Sequence, residues 1–238
     1  MKNILVLGAS STIGSALGQR FAKGNRVILS GRNHAKLKVV AEKCRESGAT
    51  EVEIILSDLA KSTQPIIDIN LKWPIDLIID SASAASMFRD EEIKAEEIPN
   101  LIKADLISHL YIFQELLRLN EKHPDIIFVS TILAIVKTPD RECYLSLKRL
   151  IEIYLEKIIT MDSGTKITIF RIGKLIAKNQ ESKMATAVAA RVWTDFFSGN
   201  AIVNYGLSGH ILLSLNNIHP LAVGLVIKIQ RFLRSYRK

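Results

Sequence analysis

Cysteine, aromatic residues and long apolar runs are scarce in this chain. Its 238 residues include two cysteines, Cys44 and Cys143, which form no C-x-x-C pair and no His/Cys cluster at metal-ligand spacing. We therefore expect neither a disulfide framework nor a metal site, and a reducing cytoplasm fits best. The first apolar run ends at Gly8, too early for a secretory signal. No run of about 18 apolar residues occurs, so we expect no membrane-spanning helix.

Acidic residues are absent from Phe196 onwards, where the basic residues supply five of the eight net positive charges. We predict a basic amphipathic helix over residues 219–238. One face would carry Leu225, Val226, Ile229, Phe232, Leu233 and Tyr236, and the opposite face Lys228, Arg231, Arg234 and Lys238. This pattern is typical of a helix lying on anionic lipid at the inner face of the membrane, although packing on protein would also explain it. Aromatics make up only 6% of the chain, which disfavours a nucleic-acid surface.

Apolar segments rich in β-branched residues alternate with segments of helical period along most of the chain. The strand candidates are NILVLG, RVILS, VEIILS, IDLIIDS, DIIFVS and KITIFRIG. They show little polar alternation, which indicates strands covered by helices on both faces. The sequence therefore predicts one α/β domain over residues 1–238, with a doubly wound parallel sheet. Residues 174–198 are expected to form a substrate loop or lid.

The segment Leu145 to Met161 is apolar on nearly every face of a helix. Such a helix is buried, either deep inside the protein or between the sheet and a second subunit. We favour the second alternative and expect a homodimer or homotetramer.

A turn of small residues joins the first strand to a helix that starts near Ile13. Gly8 and Gly14 frame the turn, with Ser10, Ser11, Thr12 and Ile13 between them. Main-chain N–H groups at a helix N-terminus bind anions, so this turn suits a pyrophosphate. A tight strand-to-helix turn without a ligand is the alternative explanation of the two glycines.

Arg32 follows the second strand, where dinucleotide-binding folds that prefer NAD carry an acidic residue. A basic residue there accommodates a 2′-phosphate, so we expect NADP(H) to be preferred over NAD(H). A solvated surface arginine is the alternative interpretation.

Tyr144 and Lys148 lie four residues apart, on one face of a helix. Thr131 ends the strand before this helix, at the sheet edge where open α/β proteins bind ligands. The phenol of a tyrosine has a pKa near 10, so a neighbouring ammonium is needed to stabilise its phenolate at neutral pH.

These residues together resemble the short-chain dehydrogenase/reductase family, from about Asn3 to Gly173. Tyr144 and Lys148 match the family's Y-x-x-x-K motif, and Thr131 matches its catalytic serine position. Asp105 takes the place of the asparagine that completes the family's tetrad. Asp58, Leu59, Ala82, Ile172 and Gly173 match further cofactor-binding positions, beside the turn and Arg32. The resemblance implies an NAD(P)-binding Rossmann fold and hydride transfer between nicotinamide and a carbonyl or secondary alcohol. Tyr144 would transfer the proton, and Lys148 would also hold the nicotinamide ribose.

Several positions depart from the family pattern. DSAS, Asp80 to Ser83, replaces N-N-A-G, and Ala177 stands where a threonine usually holds the carboxamide. Thr12 replaces the middle glycine of the turn and is expected to be an altered phosphate contact. These changes keep open a second hypothesis, a non-catalytic nucleotide-binding scaffold or redox sensor. The basic end also resembles keto-sugar reductases of envelope glycan synthesis, which implies a keto-sugar or a lipid-linked substrate.

Overall fold

Seven parallel strands form one sheet in the order β3-β2-β1-β4-β5-β6-β7 in the computed structural model. The structure describes residues 1–84, 93–136, 142–161, 164–173, 181–206 and Ser214. The strands are β1 Asn3–Leu7, β2 Arg26–Gly31, β3 Glu51–Leu56, β4 Leu77–Asp80, β5 Asp125–Thr131, β6 Ile167–Ile172 and β7 Ile202–Tyr205. The predicted doubly wound parallel sheet is confirmed.

Seven α-helices connect these strands within the described residues. They are α1 Thr12–Arg20, α2 His34–Glu46, α3 Gln64–Lys72, α4 Ile98–Ile102, α5 Ser108–Leu119, α6 Glu142–Thr160 and α7 Glu181–Phe197. A π-helical turn, Lys103–Ile107, joins α4 to α5, and a 3₁₀ turn, Ile132–Ile135, follows β5. None of the helices in the described residues is long and apolar enough to span a bilayer.

The core lies in two layers, one on each face of the sheet. Side chains of α1, α2 and α7, including Leu17, Val40 and Val192, cover one face. Side chains of α3, α5 and α6, including Phe113 and Ile151, cover the other. Burial on both faces explains why the strands are almost wholly aliphatic. Because the strand order changes direction between β1 and β4, a crevice opens there at the carboxyl edge of the sheet.

Sequence reasoning missed β7. This strand has only four residues, and its partner, β6, pairs with it through Ile169 to Ile172. A short segment at a sheet edge has too little periodicity to distinguish it from a loop. The pairing with β6, which is remote in the sequence, stabilises it instead.

The predicted lid, 174–198, needs correction over most of its length. Residues 181–197 form helix α7, which buries Val188, Val192 and Phe196 in the core. The periodic apolar residues of this helix outweigh the loop-like composition at its start. A lid role stays a prediction for residues 174–180 alone, which lie outside the described residues, as does Ala177.

Helix α6 is not a deep internal helix. Its inner face buries Ile151 and Leu155, whereas Leu150 and Ile153 are each 48% exposed. The inner face also holds two charged residues, Lys148 and Glu152. The all-round apolar pattern therefore combines a core face with an exposed apolar face, and the interface prediction concerns the exposed face.

Candidate active site

The turn after β1 is built around two close backbone approaches. Gly8 has a φ of +73°, and a Cβ on it would lie 2.7 Å from the backbone of Ala82. A Cβ on Gly14 would lie 2.4 Å from the carbonyl oxygen of Gly8. Glycine is required at both positions, because no side chain fits between β1, α1 and the end of β4. Gly14 therefore packs beneath the turn, and its predicted contact with the cofactor stays a prediction.

The amino end of α1 presents unpaired donors. Ser11 caps the helix, and its Oγ accepts a hydrogen bond from the Gly14 N–H at 3.0 Å. The N–H groups of Thr12 and Ile13, the first two helical residues, have no intrahelical partner. Both residues line the main cavity. This end of α1 therefore fits the pyrophosphate of a dinucleotide, through its free N–H groups and the helix dipole.

Thr12 does not disturb the turn. It is the first residue of α1 and has ordinary helical backbone, so no positive φ calls for glycine there. Its side chain is exposed at the cavity. The position therefore accepts a hydroxyl-bearing side chain without backbone strain.

Two cations lie at the rim of the cavity, beside the amino end of α2. Arg32 and Lys36 are both exposed and both line the cavity, and Asn33 caps the helix between them. Asp58 and Leu59, after β3, line the same cavity. Sequence reasoning singled out Arg32 but missed Lys36, which lies in the first turn of α2.

Thr131 and Tyr144 line the cavity at the carboxyl ends of the sheet. The Oγ1 of Thr131 accepts a hydrogen bond from the Leu133 N–H at 3.3 Å, so its own hydroxyl hydrogen is available to another acceptor. Tyr144 is half-buried in the first turns of α6.

Lys148 reaches the base of the cavity and is only 4% exposed. Its Nζ donates to the carbonyl oxygens of Ala82 and Val129, each at 3.2 Å, and lies 4.5 Å from the ring centre of Phe128. Burial lowers the pKa of Lys148, and this is the largest effect; the charges of Asp80, Asp105 and Glu152 oppose it. An ammonium has three hydrogens, so one is left for a ligand or for Tyr144.

Asp105 is buried within the π-helical turn, a local distortion often found at functional sites. Its carboxylate accepts hydrogen bonds from the Ser83 hydroxyl at 2.7 Å and from the Ala84 N–H at 2.6 Å. The side chain thus fastens the π-helical turn to the segment after β4. The role that the resemblance implies for Asp105, as the residue that completes the family's tetrad, stays a prediction.

A buried histidine lies behind the site and was missed by sequence reasoning. His109 Nδ1 lies 2.5 Å from Asp80 Oδ2, and both side chains are fully buried. In the sequence, Asp80 stands out only as a departure from the family's amide. No sequence signal joins the two residues, because β4 and α5 are brought together only by the fold.

The cavity has a volume of about 990 Å³ and runs from the α1 turn to Lys148. It brings together the predicted site residues Gly8, Ser10, Ser11, Thr12, Ile13, Arg32, Asp58, Leu59, Ala82, Asp105, Thr131, Tyr144, Lys148, Ile172 and Gly173. Gly14 alone of the predicted set is outside its lining. In the described residues no group of His, Cys, Asp and Glu could hold a metal ion. The fold and this cavity define a dinucleotide-binding protein of the doubly wound α/β class.

Comparison with known proteins gives the family. A family model described as short chain dehydrogenase matches residues 2–173. The chain is 27% identical over 150 residues to the 3-oxoacyl-[acyl-carrier-protein] reductase FabG of Rickettsia prowazekii, covering 62% of this chain and 61% of that protein. It is 29% identical over 119 residues to the 11-beta-hydroxysteroid dehydrogenase-like 5 of Arabidopsis thaliana, covering 46% of this chain and 30% of that protein. The chain thus matches less than two thirds of either relative's length.

Solved structures share the fold at lower identity. A bulky-bulky ketone specific alcohol dehydrogenase from Comamonas testosteroni has a TM-score of 0.76 at 14% identity, covering 99% of this chain and 94% of that one. A short-chain dehydrogenase from Sphingobium yanoikuyae in complex with NADPH has a TM-score of 0.74 at 16% identity, covering 87% and 89%. With the family match over most of the sequence, the chain belongs to the short-chain dehydrogenase family.

Proposed function

We propose that this protein is an NADP(H)-dependent oxidoreductase that interconverts a carbonyl and a secondary alcohol. One observation carries the proposal: Thr131, Tyr144 and Lys148 line the same cavity as the anion-binding end of α1. A substrate bound in this cavity would therefore lie beside both the proton-transfer group and the dinucleotide. The named relatives, which are dehydrogenases and reductases, support this reaction class.

The chemistry divides between three side chains. Tyr144 protonates the carbonyl oxygen during reduction and takes the proton back during oxidation. The positive charge of Lys148 stabilises the phenolate. The ammonium hydrogen that does not donate to the Ala82 or Val129 carbonyl holds the nicotinamide ribose. Thr131 donates its hydroxyl hydrogen to the substrate oxygen. The nicotinamide, when bound, supplies or accepts the hydride.

Replacing Tyr144 by phenylalanine tests this mechanism. Tyr144→Phe removes the proton donor and keeps the ring, so turnover should fall by at least about 10²-fold. NADPH binding, followed by its fluorescence, should stay close to wild type. Tyr205→Phe is the matched control, because Tyr205 lies on β7 and outside the cavity lining. Full activity in Tyr144→Phe would rule out the proposed proton transfer.

Arg32 and Lys36 support a preference for NADP(H). Both cations lie at the cavity rim beside the amino end of α2, and no acidic residue occupies the end of β2. Related structures are described with NADPH and with NAD, so membership of the family leaves the cofactor open. Here the 2′-phosphate would contact the two cations.

The cofactor preference is tested by Arg32→Ala and by the double variant with Lys36→Ala. A lost charge-assisted contact of about 1.5–3 kcal/mol weakens NADPH binding by roughly 10- to 150-fold. The affinity for NADH should change little. Lys38→Ala serves as control, because Lys38 is exposed on α2 and does not line the cavity. Equal losses for both cofactors would contradict a 2′-phosphate site.

A substrate screen decides between the enzyme and the scaffold or redox-sensor alternative. Keto-sugars and lipid-linked keto-sugars come first, because of the basic chain end, followed by ketosteroids and 3-oxoacyl thioesters. Oxidation of NADPH by any of them supports an enzyme. Binding of NADPH without turnover across the set would favour the scaffold.

The proposal extends to a membrane contact through the predicted helix 219–238, which lies outside the described residues. Its five basic residues and its apolar face would bind anionic lipid, placing the protein at the inner face of the membrane. Co-sedimentation with vesicles containing phosphatidylglycerol should be lost when the residues after Gly224 are removed. Equal sedimentation of both forms would exclude this contact.

A further inference from the structure

The Asp80–His109 pair lies behind the cavity and takes no part in the mechanism above. Asp80 ends β4 and His109 is the second residue of α5, and neither lines the cavity. Their Oδ2 and Nδ1 atoms are 2.5 Å apart, and both side chains are fully buried. A carboxylate so far from water is costly unless it is hydrogen-bonded and faces a positive charge.

Asp80 is joined to Lys148 through one residue. Its Oδ1 accepts a hydrogen bond from the Ala82 N–H at 3.1 Å, and the Ala82 carbonyl accepts one from Lys148 Nζ at 3.2 Å. The carboxylate therefore fixes the main chain on which the ammonium rests. The hydrogen-bond partners of Lys148, the Ala82 and Val129 carbonyls, are neutral, so its charge is balanced by carboxylates it does not touch.

Three carboxylates and a phenol surround Lys148. Asp105 faces it from the π-helical turn, Glu152 and Tyr144 share α6 with it, and Asp80 faces it from β4. Glu152 is already paired with Arg171 and Arg149, which reduces its effect at a distance. Asp80 has the largest effect of the three carboxylates in raising the pKa of Lys148 against burial.

The imidazole of His109 has one satisfied nitrogen. Its Nε2 is buried and has no hydrogen-bond partner among the described residues. A neutral ring with its proton on Nδ1 leaves only an acceptor unpaired, whereas an imidazolium would leave a cationic N–H unpaired at greater cost. His109 is therefore a neutral donor, and the negative charge stays on Asp80.

We propose that His109 holds Asp80 as a buried carboxylate whose charge keeps Lys148 protonated, which makes both of them positioning residues for the reaction. This inference rests on the proposed function, in which Lys148 acts as a cation. The asparagine that the family usually has at the position of Asp80 can hold the chain after β4, but its side chain carries no charge. Asp80 therefore adds an electrostatic role at that position.

The primary test measures the charge of Lys148 directly, in protein with no substrate present. Lysine labelled at Cε and Nζ is titrated by NMR, and the Lys148 signal is assigned from Lys148→Arg. Asp80→Asn should lower the pKa of Lys148, because a nearby negative charge is lost. Asp68→Asn, an exposed change on α3, should leave it unchanged. An unchanged pKa in folded Asp80→Asn would overturn the proposal.

Variants of His109 show whether its role is to donate a hydrogen bond to Asp80 or only to fill space in the core. His109→Asn places an amide N–H near the position of Nδ1 and should keep the Lys148 pKa close to wild type. His109→Phe removes the donor, so Asp80 takes up a proton and the Lys148 pKa falls as it does in Asp80→Asn. Adding Asp80→Asn to His109→Phe should cause no further fall. Independent, additive shifts would contradict a linked pair.

Two further readouts complete the test, and the first of them uses only the wild-type protein. In the wild type, the ¹⁵N shifts of His109 should show the neutral ring with its proton on Nδ1; an imidazolium pattern overturns the proposal. In turnover, Asp80→Asn should move the alkaline limb of the reductase pH profile to lower pH, since Lys148 then loses its proton earlier. If the wild type proves inactive on every substrate, the proposed function fails while the NMR titrations still decide this inference.

Discussion

Gly8 meets two separate demands, a positive φ and a close approach to Ala82. Gly24 meets the first demand alone: its φ is +74°, and a Cβ there would have no atom within 4 Å. Residues of the same type in the same backbone conformation thus differ in what surrounds them. This difference allows the two costs to be measured separately.

We expect Gly8→Ala to be about 1–3 kcal/mol more destabilising than Gly24→Ala. Both variants incur the roughly 1–2 kcal/mol strain of a left-handed alanine, and Gly8→Ala adds the displacement of the β4 end. Urea denaturation measures both free energies of unfolding. Equal losses would mean that the backbone of Ala82 moves aside freely.

At the scale of elements, α6 is bound to β6 by a buried ion cluster. Arg171 on β6 donates to Glu152 at 2.9 Å and to Glu156 at 3.1 Å, and Arg149 bridges the same two carboxylates. Glu152 is fully buried and Arg171 nearly so. Burying these charges costs desolvation free energy, which offsets their mutual attraction. Removing one partner leaves a buried charge uncompensated, so the single variant shows a large loss of stability.

Arg171→Met should destabilise the fold by about 3–5 kcal/mol, because it weakens the compensation of a buried carboxylate. Arg171→Met combined with Glu152→Leu should recover most of that loss. Arg45→Met breaks an exposed pair on α2 and should cost less than about 1 kcal/mol. Thermal and urea unfolding give the comparison, and a double variant as unstable as the single one would contradict it.

At the scale of the whole molecule, α5 and α6 lie side by side and leave apolar side chains exposed. Tyr154 on α6 donates to Gln114 on α5 at 2.8 Å, which ties the helices together. Ile107, Tyr111, Leu150 and Ile153 are each between 47% and 55% exposed. We propose that this surface forms the subunit interface of a homodimer or of a homotetramer built from such dimers.

Leu150→Glu should convert the assembly to a smaller species, because it places a charge within the apolar interface. Light scattering coupled to size-exclusion chromatography measures the mass. Val39→Glu is the control, since Val39 is 57% exposed on α2, which covers the opposite face of the sheet. If Leu150→Glu keeps the wild-type mass, the interface lies elsewhere.

The sequence by itself determined the architecture and most of the cavity. Alternating strands and helices require a parallel sheet, and in such a sheet the chain segments after each strand meet at one edge. Residues placed just after strands, such as Gly8, Arg32 and Thr131, therefore converge whatever the details of packing. Tyr144 and Lys148 lie four residues apart on one helix, so their proximity could also be predicted from the sequence.

Only the tertiary structure decided which groups surround Lys148. Asp80 and His109 are 29 residues apart, and nothing in the local pattern of either joins them. The packing role of Gly14, the strand β7 and the helical part of the presumed lid also depend on distant contacts. Local periodicity reports which side of an element is buried, whereas the partner across that surface is set by the packing of remote segments. The charge state of a buried site follows from those partners, so it could be found only in the folded molecule.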